Sequence, residues 1–367
     1  GTVRPPSPVL AELLDQVQAT VALPDAAAFR ARFITRHPLQ PFSPRYFAAH
    51  KAPGDEKLFS YAPHFAKASG LVGVEPAAIA TLPAFTARLP PASDEQLSFT
   101  PARFEKFLAH PARHFLRERL GVQLPQAEKA LRADEPVDLT DRRALRRELY
   151  RHPARSAESL RAAGLLPGGT WGDALFAGEQ AAVADVRARE ADLRAEKCPP
   201  VAVDVHVGRV RWSGLLDEVT TQGLVRVSLE NKLYPTDLLC LRFLQLLLAA
   251  SGSSAPQPAH LVGLEATVVL PPVQDAHAAL LPFAEAAEEG LCLPLPLFRR
   301  ASPLYVQKNS RETAYDKGWC GSDYAKGDGE DVWNALLWRD SNPCDERFAA
   351  WADRLYRPLL DVLKDVS

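Results

Sequence analysis

Two hydrophobic periods divide the chain, and they change over near residue 201. In SFTPARFEKFLAHPARHFLRERLGV, Phe104, Phe107, Leu108, Phe115, Leu116 and Leu120 recur on one helical face. Thr100 can cap that helix, and Pro101 sits at the first helical position, where a missing N–H costs nothing. Pro111 should break or kink the element, and Gly121 is a natural stop. From residue 201 the period becomes two. VAVDVHVGRVRWSGLLDEV and GLVRVSL alternate apolar and polar positions between glycine-containing turns, which predicts three consecutive antiparallel strands. An apolar helix over 236–250 follows, then a strand in HLVGLEATVVL and a helix around AHAALLPFAEAAEEGL. DERFAAWADRLYRPLLDVLK predicts an amphipathic closing helix. The expected fold class is α/β, a central mixed sheet flanked by helices and preceded by an extended N-terminal segment.

That segment opens with a helical pattern, VLAELLDQVQATV, followed by a strand-like AFRARFITRH. Pro38, Pro41 and Pro44 then fix φ and remove donors, so HPLQPFSPRYF reads as extended chain, with Phe42, Tyr46, Phe47, Phe59 and Tyr61 as apolar anchors. The Pro/Ser/Asp cluster closing LPAFTARLPPASDEQ sets a boundary near residue 95, dividing a segment over 1–95 from a domain over 96–367. Between the two periodic regions lie a charged arm, DLTDRRALRRELYRHPARSAESLRAAG, and a Gly-rich turn, LLPGGTWG. GEQAAVADVRAREADLRAE reads as a solvent-facing helix.

Composition narrows the function classes. The longest apolar run, LLCLRFLQLLLAA, is interrupted by Arg242 and Gln245 and suits a buried helix, not a membrane span. The N-terminus lacks a charged start with an apolar core, so a cytoplasmic protein is expected. Cys198, Cys240, Cys292, Cys320 and Cys344 lie far apart, which fits reduced, mostly buried thiols better than a zinc site or a disulfide framework. Methionine is absent, even at position 1; a fragment is expected, or a sequence written without modified methionines, in which case some spacings are short by one. With a formal net charge of -2, contact with nucleic acid would have to come from a local patch.

Candidate chemistry centres on GLLDEVTTQGLVRVSLENK. Asp217 stands thirteen positions ahead of a Glu-x-Lys triplet made by Glu230, Asn231 and Lys232. Hydrolysis of a phosphodiester with a divalent metal needs carboxylates to hold Mg²⁺ and a cation to offset developing charge. Residues i and i+2 of a strand share a face, so the spacing is suitable, although any solvated strand end produces it. His110 and His114 are i, i+4 neighbours, but no H-E-x-x-H accompanies them. The run Arg142, Arg143, Arg146, Arg147, Arg151 and Arg155 reads either as a phosphate-contacting strip or as a solvated helix face balanced by Asp138, Asp141 and Glu148. No G-x-x-x-x-G-K-[ST] occurs, so no ATPase site is expected.

Five stretches together resemble the C-terminal part of RecC, the gamma chain of exodeoxyribonuclease V. They are RHPLQPFSPRYF with LFSYAP; SFTPARFEKFLAHPARHFLRERLGV; RAAGLLPGGTWGDALF; SGLLDEVTTQGLVRVSL running into LLLAASG; and GEDVWNALLWRD with RLYRPLL. The resemblance spans nearly the whole chain. It implies a PD-(D/E)xK nuclease-like (restriction-endonuclease-like) fold from about residue 96, generally without catalytic residues. Such a domain serves as scaffold and DNA guide beside RecB-like and RecD-like subunits, on double- and single-stranded DNA, in double-strand-break repair and recombination. The same family region contributes the element that splits the duplex. Residues 1–95 would join it to helicase-like domains that this sequence does not contain. Asp217, Glu230 and Lys232 stand in a register like that of the G-x-x-D and D-Y-K motifs of active RecB-type nucleases. They are therefore vestigial candidates, with no cofactor and no metal expected and DNA contact assigned to Arg142, Arg143, Arg146 and Arg147. The alternatives are a Mg²⁺-dependent deoxyribonuclease using that trio and a scaffold that contacts only protein.

Overall fold

The computed structural model describes residues 7–49, 51–70, 87–124, 142–194, 198–252, 256–322, 325–338 and 341–366. It divides into two compact units, Gly1–Leu82 and Pro83–Ser367. In the first, helix α1 (Pro8–Thr20) is N-capped by Ser7 and helix α2 (Ala26–Phe33) by Asp25, whose Oδ1 accepts from Ala28 N at 2.8 Å. This corrects the strand expected in AFRARFITRH. The Asp25 cap and three consecutive alanines favour helix, and extended backbone begins only at Ile34. The proline-rich run is not the extended chain expected: Ser43 N donates to Gln40 O at 3.1 Å to close a turn, a 3₁₀ turn follows at Pro44–Tyr46, and then a short helix α3 (Pro63–Ser69). Of the expected anchors, Tyr46 and Phe47 are half-buried, whereas Phe42, Phe59 and Tyr61 stay exposed. Among the described residues of this unit the buried apolar ones are Phe29 and Leu58.

The second unit begins with β1 (Ser98–Phe99), α4 (Pro101–Ala109) and α5 (Pro111–His114), the last running into a π-helical turn at Phe115–Arg119. Thr100 caps α4 through Arg103 N, Pro111 restarts the chain as a new helix, and Gly121 stops it at φ +68°. Next come α6 (Arg142–Arg151), α7 (Ala157–Ala162) and α8 (Gly169–Leu193). Helix α8 starts inside the expected Gly-rich turn and is not wholly solvent-facing, because Glu179, Val183 and Val186 are buried. The strands β2 (Val201–Val207), β3 (Val210–Leu216), β4 (Val219–Thr220) and β5 (Gly223–Val227) precede the central helix α9 (Pro235–Ala250). Beyond it are β6 (Ala259–Val262), β7 (Thr267–Leu270) and α10 (Ala276–Gly290). The chain closes with α11 (Ala301–Lys308), α12 (Arg311–Thr313), the ribbon β8 (Gly321–Ser322) and β9 (Ala325–Lys326), α13 (Val332–Trp338) and α14 (Glu346–Val366).

The result is mixed α/β, but with two principal small sheets instead of one. β2 and β3 form the expected antiparallel hairpin, with β1 parallel to β3 on the other side. The third expected strand, β5, does not join them. It opens a second sheet in the order β4-β5-β6-β7, parallel to β6. The intervening α9 makes that possible, since a parallel pair needs a crossover long enough to bring the chain back. Gly223 permits the approach: a Cβ there would meet Pro258 O at 2.2 Å. HLVGLEATVVL folds into the antiparallel hairpin β6–β7 in place of one strand.

Helix α9 lies at the centre, with every residue from Leu238 to Leu248 buried. The two polar interruptions of its apolar run satisfy each other: Arg242 donates to Gln245 Oε1 at 2.8 Å and to Pro271 O at 2.9 Å. Gln245 donates in turn to Gln257 O at 2.7 Å. Phe104 on α4 packs against Phe243 of α9 at 4.4 Å and edge-on to Trp212 of β3 at 5.2 Å, which fixes α4 over the first sheet. No helix of the described residues is long and apolar enough to cross a membrane. Cys240, Cys292 and Cys344 are buried, Cys198 is half-buried and Cys320 is exposed.

Candidate nucleic-acid interface

The alternation of β3 decides where its acidic residues go. Val210, Trp212 and Leu216 face the core, so Leu215 and Asp217, of opposite parity, are exposed. Asp217 makes no hydrogen bond or ion pair with the described residues. Its neighbour Glu218 turns inward, where its carboxylate accepts from Arg226 Nε at 2.9 Å. Arg226 leaves β5 beside the buried Leu224 and also reaches the Glu105 carboxylate of α4, donating from Nη2 at 3.3 Å and from Nη1. One guanidinium thus bridges a helix carboxylate and a strand-end carboxylate. Burial opposes the Arg226 charge, yet the Glu105 and Glu218 carboxylates hold its pKa above the ordinary arginine value. Burial also pushes the Glu105 carboxyl above its usual range, with Arg226 pulling it back.

The Glu-x-Lys triplet and the arginine strip, two separate candidates in the sequence, are partners. β5 ends at Val227, so the triplet lies in the loop after the strand. Glu230 accepts from Arg143 Nη2 at 2.6 Å, and Asn231 Oδ1 accepts from Arg146 Nη1 at 2.6 Å. Lys232 is exposed. Arg146 drops out of the proposed phosphate strip because it is 6% exposed and paired with buried Glu179 at 2.5 Å. Arg142 lies 3.5 Å from the same carboxylate, and Arg155 pairs with Glu148. Asp138 and Asp141 lie outside the described residues. Arg143, Arg147 and Arg151, four residues apart, form the exposed face of α6, rising roughly 6 Å per step.

That face looks into a cleft of about 660 Å³ whose opposite wall is α4–α5, with Lys106, Arg113 and Glu105. Its three carboxylates are all engaged: Glu105 by Arg226, Glu230 by Arg143, and Asp237 by Tyr234 N at 3.3 Å as part of the α9 cap. Lys106, Arg113, Arg147 and Arg151, which also line it, have no ion-pair partner among the described residues. The family described as RecC C-terminal domain matches residues 96–310, more than half of the chain. The chain belongs to that family. Membership points to a component of a RecBCD-type complex; no curated protein matches the chain.

Beyond the matched residues of this RecC-type chain, α14 continues the same core, since its Trp351, Leu355, Tyr356 and Leu359 pack into the cluster around α9. His110 caps α5 and His114 ends it, with His114 N donating to His110 O at 3.1 Å, but the two rings go to different surroundings. His110 Nε2 lies 2.9 Å from Asp331, and His114 is buried against Phe99 and Phe107 with Nε2 unpartnered. Among the described residues no three His, Cys, Asp or Glu are grouped to hold a metal ion. The residues sequence reasoning missed are the cleft cations Lys106 and Arg113 and the bridge Glu105–Arg226–Glu218. The available signal was Arg226 itself, a single charge inside the apolar strand GLVRV, which requires a partner wherever that strand is covered.

Burial, followed by the charges of Arg103 and Arg113, lowers His114 from 6.5 to about 4. Above the unfolded value both states are neutral and the group contributes no pH dependence. As pH falls below 6.5 the unfolded chain takes up a proton that the folded chain refuses, so stability is lost towards pH 4. Between about pH 7.5 and pH 4.5 this group is expected to remove about 2–3 kcal/mol, a loss that His114→Phe should escape. Urea unfolding of both proteins at the two pH values checks this; identical losses would refute it.

Proposed function

We propose that this chain is a non-catalytic, DNA-guiding and scaffold domain of a RecBCD-type helicase–nuclease. It works in the cytoplasm with RecB-like and RecD-like subunits in double-strand-break repair and recombination. The domain runs from about residue 96 and has the nuclease-like fold of the PD-(D/E)xK type, preceded by the segment over 1–95. One observation carries the reading. Each carboxylate lining the cleft is held by an arginine or a helix cap, while Lys106, Arg113, Arg147 and Arg151 remain unpaired among the described residues. Metal-dependent cleavage needs two carboxylates free to share one ion. Here Asp217 faces outward, Glu230 is paired with Arg143, and Arg226 sits between the two acids that do converge. Phosphate contact needs only unpaired cations at helical spacing, and the cleft has them.

Incubation of the chain with linear DNA and Mg²⁺ or Mn²⁺ is expected to leave the DNA intact. Metal-dependent cleavage abolished by Asp217→Ala or Glu230→Ala would establish the nuclease instead. Binding to duplex is expected to weaken with salt, and Arg147→Ala with Arg151→Ala to reduce the slope of log K against log salt by roughly 0.9 per side chain. A slope that does not change in the double variant removes α6 from the interface.

A further inference from the structure

A second cation-lined cavity, of about 490 Å³, opens on the other flank of α4–α5. Ala102, Lys106 and Arg113 line both cavities, so the two meet along one ridge. Beyond the ridge the walls carry Arg103, Arg117 and Glu118. Arg103 is partly committed: it donates to Ser98 O at 3.0 Å, lies over the Phe99 ring at 4.9 Å, and stands 4.0 Å from Glu118. Lys106, Arg113 and Arg117 have no ion-pair partner among the described residues, and Lys106 and Arg117 are exposed. Four cations therefore face one carboxylate. Beneath them lies the buried His114, its Nε2 without a hydrogen-bond partner. Like charges crowded around a concave, partly dry site raise its potential and favour an anion.

We propose that this second cavity takes phosphate groups of the same nucleic-acid strand that enters the first, with Lys106 and Arg113 holding the phosphodiester backbone across the shared ridge. The inference rests on the DNA-guiding reading and lengthens its track. α4–α5 becomes a rail with cations on both sides, facing the arginine row of α6 on one side only. The ligand chemistry is the phosphodiester, common to a single strand and to one strand of a duplex.

Titration of the chain with a labelled short oligothymidylate and with a short duplex, over a series of salt concentrations, tests this. Arg113→Ala with Arg117→Ala leaves the Glu105–Arg226–Glu218 bridge untouched. Its slope of log K against log salt is expected to fall by about 1.4 for the single strand or about 1.8 for the duplex, with the melting temperature unchanged. The probe that shows the loss identifies the bound form. Arg113→Lys with Arg117→Lys is expected to keep the slope; a loss equal to that of the alanine pair would mean that packing, not charge, was removed, and would overturn the proposal. An unchanged slope in the alanine pair, where Arg147→Ala with Arg151→Ala lowers it, removes the second cavity and leaves the cleft standing. If neither pair changes the slope, both assignments fall.

Discussion

Replacing Arg146 with Ala is expected to destabilise the Pro83–Ser367 unit by about 3–5 kcal/mol, the loss typical of removing one partner of a buried ion pair. Arg146 ties α6 to two other pieces of chain, α8 and the loop after β5, with one planar group. Nε and Nη2 grip Glu179 of α8 at 2.5 and 3.1 Å, and Nη1 donates to Leu229 O at 3.2 Å and Asn231 Oδ1 at 2.6 Å. Both charged side chains are buried, at 7% and 6% exposure, so Ala would leave the Glu179 carboxyl with no close partner except Arg142 at its edge. Lys cannot reproduce the fork and is expected to recover only part of the loss. Arg147, one residue along on the exposed face of α6, supplies the contrast: Arg147→Ala should stay within about 0.5 kcal/mol of the parent. Denaturant unfolding of the three variants measures this. A loss below about 1 kcal/mol for Arg146→Ala would mean that α6 is not anchored through this network.

The same residue shows where sequence reading stops. Spacing alone could gather six arginines into one strip, five of which lie on α6 with Arg155 beyond its end, but not tell the buried Arg146 from the exposed Arg143 and Arg147 beside it, because that depends on where α8 lies. Local signals were reliable where the physics is local. Thr100, Pro101, Pro111 and Gly121 bounded α4 and its successor, and alternation from Val201 to Leu216 produced the β2–β3 hairpin. The failures are non-local. Nothing in GLVRVSL says that its partner is the parallel strand Ala259–Val262, thirty-odd residues away across α9, and not the preceding hairpin. The motif register pointed at Asp217, yet the parity of β3 turns that residue outward and brings Glu218 to Arg226 instead. The candidate trio was legible as residue types. Its disassembly, one acid exposed and the other taken by Arg143, was visible only once two sheets and two helices had been placed.

Arg226→Met is expected to cost about 2–3 kcal/mol near neutral pH and to reverse part of that cost in acid. Met keeps much of the volume but leaves Glu105 and Glu218 facing each other without the guanidinium that joins them. Glu105 is the more buried acid, its side chain 18% exposed against 35% for Glu218. Burial already pushes its carboxyl above 4.5 with Arg226 in place, and without that charge the rise is unopposed. A carboxyl whose folded value lies above its unfolded value binds protons more readily in the folded state, so stability is gained as pH falls through the raised value. The deficit of Arg226→Met relative to the parent should therefore shrink between about pH 7.5 and pH 5. His114 titrates in both proteins and cancels in the difference. Glu105→Gln supplies the second arm: it should destabilise the parent, where it removes a partner of Arg226, and stabilise the Met variant, where it removes an uncompensated charge. A deficit independent of pH, together with additive effects of the two substitutions, would show that Arg226 serves as packing alone, and the neutralised acidic pair would no longer explain why this cleft carries cations outward.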